Sequence, residues 1–297
     1  MQKNKQIQNL LELNVSIIFI STSGALGKYI ELPVPVTICS RALIGGFLIF
    51  LFCKWKKFDF NIHTGDKKTI WLCGLLLGLH WITYFYALKL SNVAIGMISI
   101  FTFPVITALL EPIILKTKFQ WIHLALGALV IVGILFLVPK FDFRDDYLIA
   151  VILGIVSALF YSLRNIMTKS QVNKYNGSIL MFYQLLAISV FLSPSYFFFE
   201  SFNFSSFIFE LILLAVLATA IGQTLFLYSF KNFTVTSASI ISSLQPVYGI
   251  IIGMVFLKEY PVSGTIVGGL LILLSVVLES IITYKRSLLN NKKIATG

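Results

Sequence analysis

The chain has 297 residues, of which 58% are hydrophobic and only 12% charged, with a mean hydropathy of +0.91. Soluble domains carry about 25% charged residues to cover their surface, so a soluble globular fold is excluded and the outer surface must meet lipid. The net charge of +11 raises nucleic acid as a partner, but the basic residues form no single patch, and no nucleic acid is expected.

In chain order, residues 1–12 read as a short polar, basic leader, and an apolar run follows from Leu13 to about Ile30. A cleaved signal peptide is the alternative for this first run, with small residues from Ser21 to Ala25, but the repeat described below needs it as a span. Further apolar runs lie at about 33–53, 70–90, 93–116, 119–138, 147–168, 178–199, 207–230, 236–257 and 262–284. Each approaches the ~20 apolar residues that cross a bilayer core as helix. Helix is required because a backbone in lipid must satisfy its own polar groups, and the runs are continuous rather than alternating as barrel strands would be. The three cysteines, Cys39, Cys53 and Cys73, are odd in number, show no metal spacing and read as free buried thiols.

An internal repeat organises these runs. Moving the stretch Tyr86 to Leu129 forward by 142 positions places it without a gap on Tyr228 to Leu271. Identical pairs include Lys89/Lys231, Pro104/Pro246, Lys116/Lys258 and Gly127/Gly269, residue types that are scarce in apolar segments. The chain therefore divides into five-span repeats over 13–138 and 147–284. Because five is odd, the second repeat enters the membrane upside down. The expected fold is an all-α polytopic membrane protein of ten transmembrane helices, built as two inverted five-helix repeats. Sixteen Lys and Arg side chains fall on the side of the termini and five on the other, so the positive-inside rule puts both termini in the cytoplasm. Inverted repeats are a transporter architecture with the substrate site at the midplane between the halves.

Two halves of five spans, the Ala/Ser-rich fourth span of each with its central proline, and the run FLKEYPVSGTIVGGLLILLSVVL at 256–278 resemble the EamA family of the drug/metabolite transporter superfamily. The resemblance covers about residues 13–284. It implies a plasma-membrane carrier for a small-molecule substrate, often an amino acid or relative, commonly moved outward. An acidic residue usual in the turn before each half's last span is kept as Glu259 but replaced by Thr117 in the first half. Arg41, early in the second span, is also typical of the family, with Gln184 near the equivalent place in the second half. A metabolite importer or exchanger of the same fold, an intramembrane enzyme and a non-transporting scaffold are the alternatives. The enzyme lacks any evident set of convergent catalytic groups, and no nucleotide loop, metal motif or cofactor signature is present.

The candidate site residues follow from polarity inside apolar spans. Pro104 and Pro246, halfway along the fourth and ninth spans, are expected to kink their helices and to free the carbonyls of Ile100 and Ser242. His80 lies mid-span beside Trp81, Thr83, Tyr84 and Tyr86; it serves either as a polar or proton-handling contact or as a hydrogen-bonded interior group. Asn165, Gln184, Gln223, Gln245, Ser242 and Ser243 suggest a neutral, hydrogen-bonding cavity, although such residues also join helices. Substrate contacts are placed at His80, Trp81, Tyr84, Asn165, Gln223 and Gln245. Arg41 either meets a substrate carboxylate, snorkels to headgroups or bonds to loop carbonyls. Glu111 and Glu279 either carry protons or hold structural and interfacial roles. The GxxxG pairs Gly74/Gly78, Gly249/Gly253 and Gly264/Gly268 read as close-packing points. The cavity is expected between the halves, on the first, third, fourth, sixth, eighth and ninth spans, an arrangement that the family resemblance implies and that the two prolines, the His80–Tyr86 group and the Gln223/Gln245 pair support. The fifth and tenth spans, around Ile131 and Leu273, should face the lipid bilayer or a second copy in a homodimer.

Overall fold

The computed structural model describes residues 2–91, 93–137, 145–199, 204–256 and 258, together with 266–268, 270–271, 273–275, 277–278, 281–282 and 285. Among them the only regular structure is helix. The first half holds α1 (Gln2–Tyr29), α2 (Val34–Trp55), α3 (Thr64–Leu90), α4 (Val93–Ile100), α5 (Phe103–Leu115) and α6 (Trp121–Leu137). The second holds α7 (Asp145–Gln171), α8 (Gly177–Leu192), α9 (Ser195–Phe198), α10 (Ile208–Leu213), a π-helix (Leu214–Gln223), α11 (Thr224–Ser229), α12 (Val235–Ile241) and α13 (Gln245–Phe256). Among the described residues seven helical stretches are long and apolar enough to cross a membrane, and shorter apolar helices lie at Phe103–Leu115, Trp121–Gly133 and Ile266–Ser275.

The helix ends follow local chemistry. Leaving the first apolar run, the chain re-enters helix at α2 through Pro33 and a proline in the first turn, where a missing N–H costs nothing. The last turn of α2 closes with Phe58 N–H on the Cys53 carbonyl and Lys57 N–H on Lys54, a Schellman arrangement with Lys57 at φ 54°. Asn176 and Thr234 accept from the first-turn amides of Ser178 and Ser237. Lys116 and Lys258, equivalent in the repeat, both take positive φ, 54° and 56°. The repeat is therefore visible in backbone conformation as well as in sequence.

Three expectations change. The polar leader is part of α1, since its straight-chain residues favour helix and Gln8 bonds Glu12 one turn on. The fourth span is broken rather than kinked: helix stops at Ile100 and restarts at Phe103, leaving Pro104 in a first turn where it fits. At Pro246 a 3₁₀ turn, Ser242–Leu244, precedes α13, and the Gln245 N–H takes the Ser242 carbonyl, which is therefore not free. Glu259, Glu279, Lys140, Arg144 and the Asp142 part of their loop lie outside the described residues.

The two halves pack as equivalents. Helix α1 lies on the π-helix and α11, as α7 lies on α3; α1 also meets α13, as α7 meets α5. The pairs α2–π-helix and α3–α8 correspond, while α2–α8 joins the halves at like elements and α5–α12 joins the fourth span to the ninth. Close approach explains the α3–α8 contact. A Cβ on Gly74 would fall 2.7 Å from the Gln184 carbonyl oxygen and from the Ala187 Cβ, and one on Gly78 would press Ile188.

Polar bonds fix the direction of each helix. Helices α3 and α7 are antiparallel, with His80 opposite Ser157 and Cys73 opposite Arg164. The end of α1 sits at the end of α3, where Lys28 Nζ donates to the carbonyls of Leu88 (3.0 Å) and Ser91 (2.7 Å). At the opposite end of the bundle Lys169 of α7 donates to the carbonyls of Phe230 and Phe233, the positions equivalent to Leu88 and Ser91. Lysines at nearly matching places, Lys169 lying one residue before the counterpart of Lys28, thus cap equivalent helices at opposite ends, as inverted halves require.

The cysteines are free and buried. The outward faces are apolar: Ile122, Val132, Leu135 and Phe136 of α6 and Ile266, Leu270, Leu273 and Leu274 of the last span are exposed, while Ile131 is half-buried.

Candidate functional site

Where α4 and α5 break apart and where the 3₁₀ turn precedes α13, the halves enclose a cavity of about 20 Å³, room for about one water. It is lined from α1 (Ile20, Ser23), α2 (Arg41), α3 (His80, Trp81, Tyr84, Phe85), the break (Ile100, Phe101, Phe103), α7 (Tyr161), the π-helix (Gln223) and α13 (Gln245). Two pairs among the lining residues are repeat equivalents 142 positions apart, Trp81 with Gln223 and Phe103 with Gln245. The pseudo-twofold relation between the halves therefore passes through this cavity.

Helical spacing chooses which side chains reach it. His80, Trp81 and Tyr84 lie within one turn or so of each other on the inner face of α3, and all are buried. Tyr86, two residues on, emerges on the outer face and is exposed, so it leaves the expected aromatic group. Thr83 spends its hydroxyl on carbonyls of its own helix, those of Leu79 and His80. The His80 ring stacks on Tyr161 with centroids 4.3 Å apart and lies parallel to Tyr84 at 6.2 Å. Its Nδ1 pairs with the Ser157 hydroxyl at 2.8 Å, and that hydroxyl also donates to the His80 carbonyl. Phe103 meets Tyr161 edge-on at 5.1 Å.

Arg41 does not snorkel. It is 1% exposed, its Nε donates to Thr219 Oγ1 at 3.0 Å, and its guanidinium lies 3.9 Å from the Trp81 ring centroid. Its Nη1 is buried without a partner among the described residues, as are the Tyr84 hydroxyl and Gln223 Oε1. The π-helix carries both Thr219 and Gln223. Its wider turn is stabilised where Thr219 Oγ1 reaches back to the Leu214 carbonyl, and π segments recur at functional sites. Gly45 lets α2 approach this helix: a Cβ there would stand 3.1 Å from Thr219.

Asn165 and Gln184 lie outside the lining. A second buried arginine, Arg164, occupies both: Nε and Nη2 donate to Gln184 Oε1 at 2.8 and 2.6 Å, and Nη1 to Asn165 Oδ1 at 2.9 Å. Arg164 had no assigned role, although an arginine inside an apolar run announces such partners. Ser242 and Ser243 likewise bond the Ser239 carbonyl of their own helix. The expectation of a neutral cavity is therefore corrected, since Arg41 brings a charge to its wall. Tyr161, which the sequence did not single out, faces the cavity beside Gln223 and Asn165.

Glu111 is buried away from the cavity. It accepts from Val235 N–H (2.9 Å), Thr236 N–H (2.7 Å) and the Thr236 hydroxyl (2.5 Å), capping α12. This is the structural reading of Glu111, with the carboxylate at the positive end of a helix. Among the described residues no group of three His, Cys, Asp or Glu side chains is placed to hold a metal.

The model of the EamA-like transporter family matches residues 11–138 and 148–281. A solved structure described only as "Crystal structure of protein" superposes with a TM-score of 0.78 at 15% identity, over 94% of this chain and 98% of that one. That likeness speaks to the fold. No curated protein matches the sequence.

Proposed function

This chain belongs to the EamA-like transporter family, and we propose that it is a secondary carrier that exports a small organic metabolite across the plasma membrane by alternating access. The observation that carries this reading is the enclosed cavity on the pseudo-twofold between the halves, lined by His80, Trp81, Tyr84, Gln223 and Gln245. Two halves of inverted orientation can exchange their packing and so open the same site to either side in turn. At about 20 Å³ the cavity is closed to a metabolite, which fits an occluded arrangement between the two open ones. The break before Pro104 and the 3₁₀ turn before Pro246 lie beside the cavity, at matching places in the fourth and ninth spans. Ten spans with both termini cytoplasmic complete the scheme, supported by the lysine asymmetry of the sequence. The outward direction is carried over from the family resemblance.

The test is reconstitution in proteoliposomes with uptake and efflux panels, with and without a pH gradient. The expected result is saturable flux of at least one organic solute class, reduced in Gln245→Ala and Trp81→Ala. Folded protein that moves no solute in either direction would sink the proposal.

A further inference from the structure

We propose that the cavity takes an organic anion, with a singly charged oxyanion group such as a carboxylate on Arg41 and a flat apolar body among the aromatic rings. The inference rests on the carrier reading and names the substrate class of the same site. Arg41 Nη1 is a buried donor with no partner at the cavity wall. Its other bonds go to a neutral hydroxyl and a ring face, so no anion balances it. A buried cation left unpaired is costly, and native structures normally compensate it.

The compensation is not found in the protein among the described residues. No Asp or Glu lines the cavity. Glu111 is committed to the start of α12. Arg164, bonded to neutral oxygens and a thioether, adds a second cation behind the wall instead of cancelling the first. The Tyr84 hydroxyl, also buried and unpartnered, supplies a second donor on the same side as Arg41. The remaining lining of Trp81, Phe85, Phe101, Phe103 and Tyr161 suits a planar body.

An ammonium group fares poorly in the same place. It meets no carboxylate, and the Trp81 face that would serve as a cation–π platform is already covered by Arg41. A plain anion should therefore be preferred over the zwitterion, cation or neutral form of the same skeleton.

The test uses four probes with one ring: phenylacetate, phenylalanine, phenethylamine and 2-phenylethanol. Equilibrium binding to the purified full chain in nanodiscs is measured alongside flux in proteoliposomes. Phenylacetate is expected to bind at least ~10-fold tighter than the other three. Arg41→Gln should weaken it by ~10–100-fold, the range for one lost charge-assisted bond. Tyr84→Phe removes an unpartnered hydroxyl, so it should keep the melting temperature while weakening phenylacetate ~5-fold or more; it carries the test if Arg41→Gln does not fold. Failure of phenylacetate to bind, equal or tighter binding of phenethylamine or phenylalanine, or an undiminished anion preference in the variants would overturn the inference. Anion-selective binding without flux would keep this site and remove the carrier reading, whereas flux of cations or neutral solutes alone would do the reverse.

Discussion

Glu111→Ala removes the acceptor of three donors at once: the N–H groups of Val235 and Thr236 and the Thr236 hydroxyl. Hydrogen bonds inside membrane proteins average about 0.6 kcal/mol, so three ordinary ones would amount to roughly 2 kcal/mol. These are charge-assisted, at about 1.5–3 kcal/mol each, and their loss strands buried backbone donors. The terms overlap because one carboxylate supplies them all, which places the expected loss at about 2–5 kcal/mol. Glu111→Gln keeps an acceptor without its charge and should cost about half as much. Reversible unfolding in mixed micelles, followed by circular dichroism, measures both. If Glu111→Ala lay within about 0.5 kcal/mol of the parent chain, the range of a neutral surface change, the cap would not be holding α12 and the reasoning would fail.

Three further outcomes follow from packing, lipid exposure and charge. Gly74→Leu should separate α3 from α8 and abolish assembly, because even a Cβ meets backbone there at 2.7 Å; retention of a monodisperse, folded species on size exclusion would contradict it. Leu273→Asp on an exposed apolar face should cost about 2.5–3.5 kcal/mol of insertion and reduce the membrane-inserted fraction, and Ile131→Asp, half-buried, should harm insertion or assembly. A reporter fused within the loop at residues 142–146 should read extracytoplasmic, and cytoplasmic placement would break the orientation scheme.

Much of this architecture was legible because its causes are local and periodic. Apolar run lengths announce spans, and Pro104/Pro246 and Lys116/Lys258 announce a repeat whose helix irregularities and left-handed turns recur. The breaks themselves were harder to see. Proline tells that an amide is missing, but whether the helix bends or restarts depends on whether Phe101 and Thr102 find other bonds. The π-helix was invisible, since its driving contacts, Gly45 against Thr219 and Gly222 against Ile20, come from other helices. Asn165 was misplaced for a related reason. Polarity inside a span shows that a partner exists, and only packing shows that the partner is the adjacent Arg164.

The symmetry is most informative where it fails. The loop between α11 and α12 is held by a cation at the end of one helix and an anion at the start of the next, Lys169 on Phe230 and Phe233 and Glu111 on Val235 and Thr236. Both signs match the helix dipoles they face. At the other end of the bundle Lys28 repeats the cation on Leu88 and Ser91, but the position equivalent to Glu111 is Gly253. The cavity breaks the relation in the same manner, since the counterparts of Trp81 and Phe103 in its lining are Gln223 and Gln245. Apart from Tyr161, the aromatic surface and the Arg41 charge thus belong to the first half, and the neutral amides to the second. A site that straddles a twofold yet differs on its two sides can hold one orientation of a polar-ended molecule, which a symmetric cavity could not.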